Sequence, residues 1–316
     1  MAIGIILKKV PLNWGITCLS CILFSFCAKD NKKITDFGFD PINLTKDTSY
    51  LTGELSQINS DLFVEASGIA SSTKYPGHYY IHNDGSNPTE IYLVDSSGLL
   101  KAIIDLKGIN NRDWEDICTG PGPIAGKTYV YLADIGDNQA IHSDYSIYRF
   151  EEPDLKLNQS SPANVDIDKI SQFKFNYPDN KSYNAEALMI DPKTQKCYVV
   201  TKSKYSSVYS ISLTENTTNV VTAKLIVTLP ITEVTGGDIS DTGSILLKDY
   251  TRVYLWSNTD STSVDSLITG VPVECKYTIE PQGEAICWSP GQKSYLTISE
   301  VTAGIKQYLI TYKRKS

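Results

Sequence analysis

The sequence predicts an all-β propeller of five blades, closed into a ring by a strand from the N-terminal side of the chain. Strand-length apolar runs rich in Tyr, Val and Ile are bounded by turn residues, as in HYYIHND (78–84), TYVYLAD (128–134), KCYVVTK (196–202) and RVYLWSN (252–258). Such runs between Gly, Asn, Asp, Ser and Pro read as strands. No amphipathic helix longer than two turns stands out. One short pattern also recurs five times, a polar or small stretch before an aliphatic residue that opens a strand. It is EASGI (65–69), DWEDI (113–117), NAEAL (184–188), TGGDI (235–239) and QGEAI (282–286).

The anchoring residues Ile69, Ile117, Leu188, Ile239 and Ile286 are spaced by 48, 71, 51 and 47 residues. Three of these steps match a four-stranded blade. The long step places an insertion around 151–169, and a sixth sheet hidden there is the alternative. The last unit (286–313) holds three strands. GELSQI (53–58) is expected to supply its fourth and so to remove the open sheet edge.

Composition bounds the function. With 41% hydrophobic residues the chain can build a large core, and 20 Tyr against 2 Met suits half-buried pleated strands. A net charge of −7 argues against a nucleic-acid partner, which calls for a basic face. Residues 1–27 read as an export signal: Lys8 and Lys9 precede the apolar run Ile16 to Phe26, and Cys27 opens the polar stretch CAKDNKK. This resembles a bacterial lipoprotein signal with Cys27 lipidated, although Phe26 stands where a small residue is preferred and Cys21 is a second candidate. The expected location is the cell envelope, periplasmic or outer-membrane, with a lipid anchor in the membrane. Residues 28–50 read as a tether and 51–316 as one domain. Cys118 and Cys287 occupy the same place in two repeats and read as core residues. A disulfide involving Cys275 stays open.

In an antiparallel blade the start of the first strand and the end of the second share one face. Glu115, Glu186 and Glu284 stand two residues before the anchors, and Asp116 and Asp238 one before. Asn83 and Asp84, Asp134 with Asp137, Lys202, Asp249 and Glu300 close the second strands. Converging carboxylates need protons, basic partners or a bound cation. Oxygen ligands with only 3 His in the chain suit Ca²⁺ rather than zinc. Glu115, Glu186, Glu284, Asp134, Asn83 and Asp84 are therefore the expected metal ligands. Lys202, Asp249 and Glu300 are expected to contact a ligand, and His82 or Asp137 to act as base if there is chemistry. The competing reading has the recurrent acids bonding backbone N–H groups of neighbouring blades, with His82 and Trp114 as packing residues.

HNDGSNP (82–88), DWEDIC (113–118), YLADIGDN (131–138), NAEALMIDP (184–192) and QGEAI (282–286) resemble an uncharacterised family of secreted bacterial β-propeller proteins. The resemblance implies the fold and no activity. The layout is remotely similar to calcium-dependent propeller lactonases and phytases, which place acidic residues around a channel metal; activity taken from that likeness is analogy. The expected function is a binding module for a small molecule, glycan or protein, with loop tyrosines such as Tyr79, Tyr145, Tyr183 and Tyr205 forming the contact. The alternative is a metal-dependent hydrolase of an ester, lactone or phosphoester.

Overall fold

A computed structural model describes residues 37–58, 61–158, 162–213, 219–302 and 304–316, so the signal segment and Cys27 lie outside the described residues. β1 (Glu54–Gln57) belongs to the last blade of the ring. Blade 1 is β2 (Ala66–Ser71), β3 (His78–Asn83), β4 (Glu90–Asp95) and β5 (Leu100–Leu106). Blade 2 is β6 (Trp114–Pro121), β7 (Thr128–Asp134) and β8 (Tyr145–Glu151), then, beyond β9 (Ala163–Val165), β10 (Ser171–Asn176). Blade 3 is β11 (Ala185–Ile190), β12 (Cys197–Thr201) and β13 (Ser207–Ile211), then, beyond β14 (Val221–Thr222), β15 (Lys224–Thr228). Blade 4 is β16 (Gly236–Ile239), β17 (Ile245–Lys248), β18 (Val253–Trp256) and β19 (Val273–Cys275). Blade 5 is β20 (Gly283–Trp288), β21 (Ser294–Ser299) and β22 (Tyr308–Lys313), completed by β1 running antiparallel to β22 from Glu54 opposite Thr311 to Gln57 opposite Tyr308.

The fold is thus the five-bladed propeller read from the repeat, with its ring closed by the N-terminal strand. The inner strands touch in the cyclic order β2, β6, β11, β16, β20 and back to β2. The long second unit holds no sixth blade. Its insertion crosses to blade 1, where β9 pairs in parallel with β5, and β14 of the third unit likewise adds to β10 of blade 2. Blades 1 and 2 each thereby borrow an outer strip from the unit that follows.

Burial explains the apolar runs. A blade is covered on both faces, so its middle strands are buried along their length, as in CYVVT of β12 and VYLW of β18. Five apolar clusters fill the five gaps between neighbouring blades. Trp114 is a fully buried wedge between blades 1 and 2, its indole N–H donating to Asn110 O at 3.1 Å. Cys118, Cys197, Cys275 and Cys287 are buried free thiols, so Cys275 forms no disulfide among the described residues. Of the stretch read as a tether, residues 37–50 lie on the propeller. Lys46 bridges to Glu274 and Tyr50 to Arg314, with Tyr50 buried beside Trp288 and Tyr295.

Asp116 and Asp238 realise the backbone-bonding reading of the recurrent acids. Asp116 accepts from its neighbour Ile117 N–H and from Leu188 N–H of blade 3, each at 2.8 Å, and Asp238 accepts from Trp288 N–H of blade 5 at 2.7 Å. Burial drives both carboxyls upward, Asp238 to about 7. Asp116→Ala leaves the Leu188 N–H orphaned in the core, a loss of about 1–3 kcal/mol. The melting temperature of the variant should fall by several degrees; an unchanged value would mean that the inner strands hold together without this bond.

Candidate functional site

Four blades share one bond at the end nearest the start of strand β2. In blades 1, 3 and 5 the residue after the second strand, and in blade 2 the second residue after it, bonds back to the residue four before the anchor. Asp84 N–H donates to Glu65 O at 2.9 Å, Gly136 to Asp113 at 3.1 Å, Lys202 to Asn184 at 2.9 Å and Glu300 to Gln282 at 3.0 Å. Asp84, Gly136, Lys202 and Glu300 are therefore equivalent positions around one mouth. Just inside them, four inner strands carry a β-bulge, and the unmatched residue is Ser67, Glu115, Glu186 or Glu284. A bulge re-aims a side chain that regular pairing would send to a blade face. Blade 4 pairs without a shift and has Gly237 at that place.

The three bulge glutamates are buried beside a half-buried Asp84; burial raises the proton affinity of all three, and the Asp84 charge adds to the rise in each. They divide into two groups by what neutralises them. In the first, the Lys202 ammonium sits 2.7 Å from Glu186 Oε2 and over the Tyr250 ring at 5.1 Å, while the Tyr250 hydroxyl donates to Glu284 Oε1 at 2.9 Å. Burial works against the Lys202 charge, but Glu186 and Glu284 more than offset it and raise the ammonium above its ordinary range. Burial raises Glu186 to about 8 even with Lys202 beside it.

The second group is Asp84, Asp113 and Glu115, which each offer a carboxylate oxygen within 4.8 Å of the others. Burial, then the charges of Glu186, Asp84 and Asp113, push Glu115 well above the usual range. Burial and the carboxylates of Asp84 and Asp134 raise Asp113 to about 6. No salt bridge reaches these three carboxylates among the described residues. Two glycines make their approach possible. A Cβ on Gly136 would collide with Glu115 Oε1 and with the Asp113 carboxylate, and one on Gly85 would collide with Asp113 Oδ1 and stand 2.9 Å from Arg112 O. Where other blades present Asp84, Lys202 or Glu300, blade 2 thus presents a gap, and the carboxylates gather there.

Other expected site residues are spent elsewhere. Asn83 donates to Leu62 O at 2.7 Å and accepts from Glu65 N–H at 3.2 Å, which fixes the loop before β2. Asp134 accepts from Asp113 N–H at 2.8 Å and lies 3.9 Å from Arg112 Nε, so it positions Asp113. Asp137 accepts from Ile141 N–H, His142 N–H and the Tyr145 hydroxyl, each at 2.9 Å, and clamps its own loop. Asp249 does the same for the β17–β18 turn, accepting from Thr251, Arg252 and the Tyr254 hydroxyl. His82 is sealed in the core with its ring edge-on to Trp114 at 6.0 Å. Its Nδ1 lies 2.9 Å from Asn83 O, which can only accept, so Nδ1 carries the proton and burial lowers the ring to about 4. Glu300 lies at the rim, held by Gln282 at 2.7 Å and raised by burial to about 7. Tyr79 and Tyr145 are core residues, whereas Tyr183 and Tyr205 are half-buried.

Three participants were not read from the sequence. Asp113 is one, although its place four before the anchor holds Glu65, Asn184 and Gln282 in other units, a polar recurrence that marks it. The second is Lys248, fully buried, with its ammonium 3.1 Å from Thr235 Oγ1, bonded to Gly283 O and 5.2 Å from the Tyr277 ring. It grips the residue before Glu284. The third is Glu280, which faces Lys248 and which burial raises to about 6.

Comparison with protein-family models and with curated proteins gives no match.

The gap left by Gly136 generates a test. Gly136→Ala drives a methyl into Glu115 and Asp113 and must spread the carboxylate group. Titration of Asp113 followed by NMR should shift toward the normal carboxylate range as the acids separate, with the fold kept. An unchanged titration would show that the glycine is not what sets their spacing.

Proposed function

We propose that the protein is an exported, non-catalytic binding module that holds a Ca²⁺ ion among Asp84, Asp113 and Glu115 at the channel mouth. The observation that carries this is the three-carboxylate group itself. It is drawn from two blades, cleared by two glycines, and left without a basic partner while the neighbouring Glu186 and Glu284 share Lys202. A hard divalent cation is the neutraliser that oxygen ligands at this spacing suit, and Ca²⁺ takes 6–8 of them. Glu186 and Glu284 lie close enough to add charge from the first group. Binding is favoured over hydrolysis because the candidate bases are occupied: His82 is sealed away from the mouth and Asp137 is bonded by three donors. The signal-like segment ending at Cys27 supports a lipid-anchored place in the cell envelope.

The melting temperature with excess Ca²⁺ and with chelator tests the reading. A ligand of the folded state adds about 2.7 kcal/mol at 100 times its Kd, so Ca²⁺ should raise the melting point by several degrees. Glu115→Gln should abolish that rise while the metal-free variant melts no lower than the parent, since a neutral amide replaces a carboxyl whose charged form burial disfavours. A Ca²⁺ shift of full size in Glu115→Gln would sink the assignment.

The pH dependence has a definite sign. Asp113, Glu186 and Glu300 keep protons in the folded state that the unfolded chain gives up near pH 4. Their contribution is whole below that pH and is lost as pH rises through about 6, 8 and 7 respectively. In chelator, stability should therefore fall between about pH 4 and 8. Ca²⁺, which competes with protons for the carboxylates, should raise the melting temperature more at pH 8 than at pH 5. A Ca²⁺ effect that does not grow with pH would contradict carboxylate ligation.

A further inference from the structure

The mouth face holds a cleft of about 300 Å³ beside the ring of acids. It lies between residues 40–42, the connection from blade 3 to blade 4 at 230–233, and the β17–β18 turn. Tyr250 belongs to both features. It lines the cleft, its hydroxyl holds Glu284, and its ring carries the Lys202 ammonium. Whatever fills the cleft therefore reaches the edge of the channel mouth.

The walls define a ligand class. Pro41, Ile42 and Pro230 supply apolar surface, with Ile42 70% exposed. Arg252 and Glu233 supply hydrogen-bonding groups on the same cleft. Arg252 is braced by Thr251 Oγ1 at 3.2 Å and by Glu274 at 3.5 Å, so its guanidinium is held in place. Glu233 adopts φ 54°, a left-handed conformation where Gly or Asn is the cheaper residue, and is fixed there by its N–H on Ser203 O at 2.8 Å. Its place in the lining lets its carboxylate accept from a ligand hydroxyl. The surrounding acids repel an anion, and walls that carry Asp40, Glu233, Asp249 and Arg252 suit no purely apolar ligand. A neutral ligand with many hydroxyls satisfies both constraints, since a donor and acceptor side chains in one cleft can bond hydroxyls while ring C–H faces lie on Pro and Ile. The volume is at the lower end for a small-ligand site.

We propose that this cleft is a saccharide subsite and that the module's ligand is a neutral glycan. The proposal rests on the binding-module reading of the mouth for one point only. A Ca²⁺ ion with three protein carboxylates has coordination positions left over, and hydroxyls of the neighbouring sugar unit fill them.

Isothermal titration with neutral hexasaccharides (cello-, xylo-, manno-, malto- and chito-series) and with an oligogalacturonate, in Ca²⁺ and in chelator, tests it. At least one neutral oligosaccharide should bind and the anionic one should not. Glu233→Gly should weaken binding by about tenfold, the worth of one good polar contact, while the melting temperature holds or rises because glycine suits the positive φ. Arg252→Ala should weaken it similarly. Failure of every neutral oligosaccharide to bind, preference for oligogalacturonate, or full binding by Glu233→Gly overturns the proposal. The two readings fail separately. Binding that persists in chelator upholds the cleft and removes the role of the cation. A Ca²⁺-dependent rise in melting temperature without oligosaccharide binding upholds the cation and overturns the cleft.

Discussion

Five blades around one axis bring their inner strands so close that neighbouring backbones must bond through side chains. Asp116 spans from blade 2 to Leu188 of blade 3, Asp238 from blade 4 to Trp288 of blade 5, and the Ser67 hydroxyl from blade 1 to Glu115 O of blade 2 at 2.8 Å. These bonds fix the inner strands in height relative to each other. Only then do bulges at matching positions deliver Glu115, Glu186 and Glu284 to one level of the channel. The mouth thus inherits its geometry from the core beneath it. The closing pair of β1 and β22 protects that geometry, because a ring without it would leave β22 as an unpaired edge.

Crowding carboxylates in this way costs free energy, and different parts of the mouth offset it differently. Deeper in the channel burial raises Asp116 and Asp238, and backbone N–H groups of neighbouring blades bond both carboxyls. At the mouth, Lys202 answers Glu186 and Glu284, with Tyr250 as a neutral donor. Lys248 lies below this group and is itself depressed by burial, so it acts through its bonds to Thr235 and Gly283 more than through its charge. The group of Asp84, Asp113 and Glu115 has none of these answers in full. Arg112 stands nearest but donates to Asp144 O at 3.1 Å and Asp134 O at 3.4 Å and faces the Tyr145 ring at 5.6 Å. An unbalanced remainder of this kind is what a cation would complete.

The repeat made the blades legible. An aliphatic residue of fixed role near each blade start gives blade number, blade boundaries and the place of the closing strand, because every blade buries that residue in the same way. It also placed Glu115, Glu186, Glu284, Asp84 and Lys202 at one mouth. Spacing could not tell which acids face the channel. Asn83, Asp134, Asp137 and Asp249 stand at equally suitable positions in the chain, yet Asp137 and Asp249 are consumed by N–H groups of their own loops, and Asn83 and Asp134 by N–H groups just before the first strand of their blades. Whether a carboxylate clamps a turn or lines a channel depends on one local register shift, and a bulge changes side-chain direction without changing the sequence pattern. The borrowed strips β9 and β14 were hidden for a related reason. They are two or three residues long, and only a neighbouring blade's edge makes them strands.

The glycine at position 136 shows how a small residue sets the chemistry of large ones. Three other blades fill that place with Asp84, Lys202 and Glu300, each of which projects a charge into the mouth. Any of these at position 136 would occupy the space now held by the carboxylates of Asp113 and Glu115. Its absence concentrates three acids on one side of the channel and leaves Lys202 and Tyr250 on the other. Tyr250 then stands at the border between a charged mouth and the polar cleft beyond it, bonded to Glu284 inward and lining the cleft outward. Tyr250→Phe removes only the hydroxyl: it strips Glu284 of a donor while keeping the ring under Lys202 and the wall of the cleft. A change in Ca²⁺ response with saccharide binding intact would show that Tyr250 couples to the mouth through its hydroxyl, and the reverse pattern that it serves the cleft through its ring.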